Sequence, residues 1–130
     1  MDCPLCCEAM IVLEYEQVEI DHCVSCKSCW LDGGELELLL EHSKEKVDLL
    51  SSFEVEEQSN EKIRTCPICL KKMEKVLVGT KDSVRIDRCR SGDGLWFDLG
   101  EFERIVKMGN FGSNTKVLDW LKHVFSAALH

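Results

Sequence analysis

Cys3-Pro4-Leu5-Cys6 and Cys23-Val24-Ser25-Cys26 are two thiol pairs, each with two residues between its cysteines, a spacing that lets one tight turn present both sulfurs to a single ion. The arrangement returns later as Cys66-Pro67-Ile68-Cys69 followed by Cys89. Aligning the two copies on Trp30 and Trp96 pairs Cys23 with Cys89, Asp32 with Asp98, Glu35 with Glu101, and Cys26 with Gly92. The first copy therefore has four thiols, Cys3, Cys6, Cys23 and Cys26, suited to a tetrahedral zinc; the second has three, Cys66, Cys69 and Cys89, and a gap.

Asp93 lies one residue past the gap, between Gly92 and Gly94, where the backbone can bend enough to bring its carboxylate onto a metal. A second zinc held by three cysteines and Asp93 stands beside an empty or improvised site using Asp87, His123 or a residue of another chain. A three-ligand zinc with an open position would be a catalytic arrangement. No Ser/His/Asp set, His-Glu-x-x-His motif or glycine-rich phosphate loop accompanies it, so the expectation is a protein that is not an enzyme. Four-thiolate sites accept iron as well as zinc. Cys7 and Cys29 read as spare thiols, and His22 as a surface residue of a hairpin.

The elements that must position these ligands are short. Met10 to Tyr15 and Val18 to His22 are rich in β-formers and read as a hairpin that returns the chain to the metal. Asp32-Gly33-Gly34-Glu35 matches a capping box opening a helix from Gly33 to about Ser52, with Leu36, Leu39, Leu40, Val47 and Leu50 as its apolar stripe. Trp30 and Trp96 are read as anchors between helix and hairpin. The second unit repeats the plan with strands Met73 to Val78 and Ser83 to Arg88, then a helix Leu99 to Met108 stopped by Gly109.

The expected fold is thus a small metal-bound α+β chain of two tandem ribbons, each knuckle, β-hairpin, knuckle and α-helix. Residues 1–53 form the first ribbon, 54–62 a polar linker, 63–109 the second ribbon and 110–130 a C-terminal amphipathic helix. Val117, Leu118, Leu121, Val124, Phe125, Ala128 and Leu129 give that last helix its apolar face, read as a packing or dimer surface.

Bulk properties agree. Units of about 40 residues rarely hold together on apolar burial alone, and a bound ion or disulfide supplies the difference. Nine cysteines, with no secretory signal and no long apolar run, point to metal in a reducing, cytoplasmic setting and away from a membrane. The net charge of -8 disfavours nucleic acid, although it is unevenly placed: residues 1–60 carry -12, 61–90 carry +5 and 91–130 carry -1. Arg64, Lys71, Lys72, Lys75, Lys81, Arg85, Arg88 and Arg90 are either a phosphate-binding patch or a surface attracted to the acidic first unit.

The pattern Cys-Pro-x-Cys, hairpin, Asp-x-Cys-x-x-Cys and Trp-Leu-Asp-x-Gly-Glu-Leu resembles the transcription-factor-IIB-type zinc-finger family. It is carried here by Cys3, Pro4, Cys6, Asp21, Cys23, Cys26, Trp30, Leu31, Asp32, Gly34, Glu35 and Leu36. Cys66, Pro67, Cys69, Asp87, Cys89, Trp96, Asp98, Gly100 and Glu101 carry the degenerate second copy. The resemblance implies zinc binding and points toward transcription without assigning an activity. The expected role is a zinc-binding, non-enzymatic interaction or regulatory module that meets a protein partner or another copy of itself. The alternative is nucleic-acid or transcription-complex binding through residues 62–90.

Overall fold

The computed structural model describes residues 1–57, 61–79, 83–109, 116–120 and 123. Where β-formers alternate with polar residues the chain forms β1 (Ile11–Tyr15) and β2 (Val18–His22), and in the second copy β5 (Glu74–Val78) and β6 (Val84–Arg88). Each hairpin gains a third strand that the sequence reading lacks, β3 (Cys29–Asp32) and β7 (Gly94–Phe97). These two runs are apolar on both sides, as a strand buried on two faces must be.

β3 and β7 pair antiparallel with Trp30 opposite Trp96, Cys29 opposite Phe97 and Leu31 opposite Leu95. The register relates the two copies by a local twofold through the tryptophans. It joins them into one seven-stranded sheet in the order β1-β2-β3-β7-β6-β5-β4. One core spans both copies, with Val18, Ile20, Leu31, Leu36 and Leu40 of the first packed with Val76, Ile86, Phe97, Phe102 and Ile105 of the second.

Three expectations change. The first helix is two helices, α1 (Glu35–Leu39) and α2 (Lys46–Ser51), not one from Gly33 to Ser52. Between them the Ser43 side chain accepts a hydrogen bond from the Glu45 amide while the Ser43 amide donates to the Leu40 carbonyl, a local alternative to the helical ladder. The turn drives Leu40 into the core and leaves Val47 of the supposed stripe 75% exposed.

Part of the supposed linker is a strand, β4 (Glu54–Glu56), which pairs with β5 and covers that edge of the sheet. The Ser52 hydroxyl helps fix it there, donating to the Leu49 carbonyl and accepting from the Gly79 amide.

The capping box does not form as read. α1 and α3 (Glu101–Met108) begin after Gly34 and Gly100, both in the left-handed region and neither with a side-chain cap. Asp32 and Asp98 turn instead to the indole N–H groups of Trp30 and Trp96, at 2.8 and 2.9 Å. Only the reciprocal half survives in one copy, where Glu101 accepts from the Asp98 amide at 2.8 Å. Glu35 makes no such bond, and its Oε2 is buried without a hydrogen-bond partner among the described residues.

Residues 116–120 of the C-terminal segment are helical. Val117 is buried in the shared core, Leu118 and Trp120 lie against it, and the Trp120 ring meets Tyr15 at 5.2 Å. Leu121, Val124, Phe125, Ala128 and Leu129 lie outside the described residues.

Candidate metal centres

Cysteine knuckles build both centres from the same backbone turn. In Cys3 to Glu8, Cys23 to Ser28 and Cys66 to Lys71, the first cysteine's amide bonds to the carbonyl five residues on, and the amide four residues on bonds back to its carbonyl. The turn needs a left-handed residue after the second cysteine, and Cys7, Lys27 and Leu70 occupy it at φ 63°, 64° and 64°. Cys7 is therefore the residue that shapes the turn. It is exposed and lies outside the thiol cluster. The tight turn also aims amides at sulfur: Leu5 and Cys6 donate to Cys3 Sγ, and Ile68 donates to Cys66 Sγ, each at 3.4 Å.

The ligand atoms of Cys3, Cys6, Cys23 and Cys26 all lie within 4.8 Å of one another, with Cys3 and Cys26 sulfurs 3.7 Å apart. Zinc–sulfur bonds of about 2.3 Å at tetrahedral angles require sulfur pairs about 3.8 Å apart. The donor set and its spacing fit zinc.

Protons would otherwise have to crowd this site. Burial pushes Cys3 up to about 11, and the neighbouring Cys26 thiol, with burial second, pushes Cys6 up to about 12. Burial also acts to raise Cys26, but hydrogen bonding to the Ser28 hydroxyl, 3.2 Å away, and to the Ser28 backbone brings it down to about 7. A divalent ion replaces those protons on the sulfurs.

The second centre gathers Cys66, Cys69, Cys89 and Asp93, again within 4.8 Å. Cys69 and Cys89 sulfurs are 3.7 Å apart, and Asp93 Oδ2 lies 3.7 Å from Cys66 Sγ and 3.4 Å from Cys89 Sγ. A zinc with one oxygen ligand needs sulfur–oxygen separations of about 3.5 Å, so this set also fits, with one carboxylate oxygen in the corner of the lost thiol.

The turn that brings it there is tighter than the other three. The Gly92 amide returns to the Cys89 carbonyl three residues back, while the Cys89 amide keeps its bond to the Gly94 carbonyl. Gly92 takes φ 85° in doing so. Of the other residues weighed from sequence for this corner, Asp87 is ion-paired with Lys75 at 2.7 Å and His123 is exposed.

Trp30 and Trp96 close the space between the centres. Both are fully buried in a cluster with Cys3, Cys23, Cys66, Cys89 and Met73, on the opposite face of β3 and β7 from the helices. The expected position between helix and hairpin is thus corrected: alternation along β3 sends Cys29 and Leu31 to the helical side and Trp30 to the metal side.

His22 is likewise not a surface residue. It is 1% exposed, with Nδ1 3.4 Å from the buried Cys29 Sγ, and burial lowers its pKa. Period-two counting from Val18 and Ile20 puts His22 inward too, a signal present in the sequence.

The arginines of this basic stretch face carboxylates. Arg64 meets Asp98 at 3.3 Å, Arg85 meets Glu56 at 3.0 Å, and Arg88 and Arg90 meet Glu74 at 2.9 and 3.7 Å. Lys71 and Lys72 are exposed, and Lys81 lies outside the described residues.

Fold and donor sets together define a tandem zinc ribbon in which two copies share one sheet. A family model described as transcription factor zinc-finger, of the TFIIB zinc-ribbon type, matches residues 2–42 and again 65–108. The chain belongs to that family, in two tandem copies. No match was found among curated proteins or among solved structures. Among the described residues, no helix is long and apolar enough to cross a membrane.

Proposed function

We propose that the chain is a non-enzymatic interaction or regulatory module whose two zincs are architectural, the second one ligated by Cys66, Cys69, Cys89 and Asp93. The observation that carries this reading is that each centre gathers four donors within 4.8 Å of one another, a full set for a four-coordinate zinc with no corner left for a substrate or a reactive water. The ion pairs that engage Arg64, Lys75, Arg85, Arg88 and Arg90 favour a protein partner over nucleic acid, because each such cation is already opposite a carboxylate.

Cobalt replacement tests the closed geometry. A cobalt-loaded chain is expected to keep its visible spectrum unchanged on addition of azide, since no position is free to bind it. A shift of the visible bands by azide would show an open metal and favour an enzyme.

A further inference from the structure

We infer that the second metal centre is completed by the first ribbon: Gly33, at the β3–α1 junction, is the positioning residue for Asp93. This rests on Asp93 being a zinc ligand, and it adds what holds that ligand in place.

Three observations meet at the seam. The Gly33 amide donates to the Asp93 carbonyl at 3.0 Å, so a backbone group of the first copy fixes the residue that substitutes for a thiol in the second. A Cβ on Gly33 would come within 2.9 Å of the Gly92 carbonyl oxygen, so the backbones of the first copy and the tightened turn approach too closely for any side chain there. At Gly94 a Cβ would lie 2.1 Å from the Leu31 carbonyl and 2.7 Å from the Trp30 ring, which locks the other end of the loop against β3.

The same contacts are not required on the first centre's side of the local twofold. There the counterparts of Gly33 and Gly94 are Leu99 and Ser28, both with side chains, and Leu99 is 58% exposed. The first centre closes with its own Cys26, inside a regular knuckle. The second closes with a carboxylate on the loop between β6 and β7, and that loop takes its shape from its neighbour. A group that orients a metal ligand through a hydrogen bond changes metal affinity typically 10- to 100-fold when altered.

The test measures zinc affinity at each centre of the full chain by competition with a chromophoric chelator, for wild type, Gly33→Ala and Asp93→Ala. Gly33→Ala is expected to weaken the second zinc at least about 10-fold while the first stays within about threefold. An unchanged second site, or equal weakening of both, would overturn the positioning role.

Asp93→Ala separates the two claims. If it leaves both affinities unchanged, Asp93 is not a ligand and the inference falls with that reading; if it weakens the second zinc while Gly33→Ala does not, only the positioning role fails. A measurement on the wild-type chain stands independent of any folding defect. Amide hydrogen exchange at Gly33 should speed up at least about 10-fold when the second zinc alone is stripped, and unchanged protection would overturn the proposal.

Discussion

The two metal centres start from the same knuckle and end differently. In the first, Cys26 completes the set from a regular turn, and the next residue, Lys27, merely supplies the left-handed bend. In the second, Gly92 stands where that cysteine would be, the bend moves back onto it, and Asp93, in Lys27's place, brings an oxygen to the ligand corner. The corner of a lost thiol can thus be filled by a carboxylate one residue along the chain when the residue in the gap is free to take a positive φ. The replacement is not local, however, because the reshaped loop leans on Gly33 and β3 of the other copy.

Breaking the centres separately gives the largest contrast. Cys23→Ser should abolish the cooperative unfolding transition, because a structural zinc contributes on the order of 10 kcal/mol to a unit this small and β3 carries the seam to the second copy. Asp93→Ala should retain a cooperative transition at a lowered midpoint. Thermal unfolding followed by circular dichroism checks both, and equal loss in the two variants would remove the distinction between the centres.

The tryptophan-side faces of the hairpins offer a smaller contrast. Lys75 sits opposite Asp87, buried and paired, while the matching position in the first copy is Val12, opposite Asp21 and 58% exposed. Lys75→Met should cost about 3 kcal/mol by leaving Asp87 buried without its cation, whereas Val12→Ala should stay within about 0.5 kcal/mol.

The lysine loss has a pH signature. Burial raises Asp87 to about 6 against the opposing pull of Lys75, so its folded pKa lies above its unfolded one. Its favourable contribution is then present at low pH and lost as pH rises through about 6. Without Lys75 that loss steepens, so urea midpoints of Lys75→Met and wild type should lie further apart at pH 8 than at pH 5.

The finest contrast is at the helix starts. Glu101 bonds back to the Asp98 amide and Glu35 has no such bond, so Glu101→Ala should cost about 1 kcal/mol and Glu35→Ala close to nothing. Urea midpoints at pH 8 would resolve the pair.

Ligands and hairpins were legible because their signals are local. Two-residue cysteine spacing sets a turn, and alternation in Val18 to His22 or Val84 to Arg88 sets a strand. The flanking glycines marked Asp93 in the same way, since only a bendable backbone lets a residue one step late reach the thiol cluster.

What escaped depended on partners that hydrophobic periodicity and residue propensity do not register. Cys29–Asp32 and Gly94–Phe97 are strands because each has the other as a partner, which a unit-by-unit reading cannot supply. Glu54–Glu56 reads as polar linker until the edge of β5 and Arg85 give it a place. Asp32 has the chemistry of a helix cap, but the neighbouring indole N–H, buried at the seam, takes its carboxylate first. Leu36 to Leu50 scanned as one stripe because periodicity does not register the Ser43 side-chain turn that separates the two helices.

Zinc stoichiometry is the most direct check on the pairing of a four-thiol centre with a rebuilt one. Elemental analysis of the purified wild-type chain should find two zincs, and the same assay on Asp93→Ala should find one. One zinc in both proteins would mean that the second copy holds no ion, and two in both would mean that Asp93 is not what holds it; either result contradicts a second centre closed by Asp93.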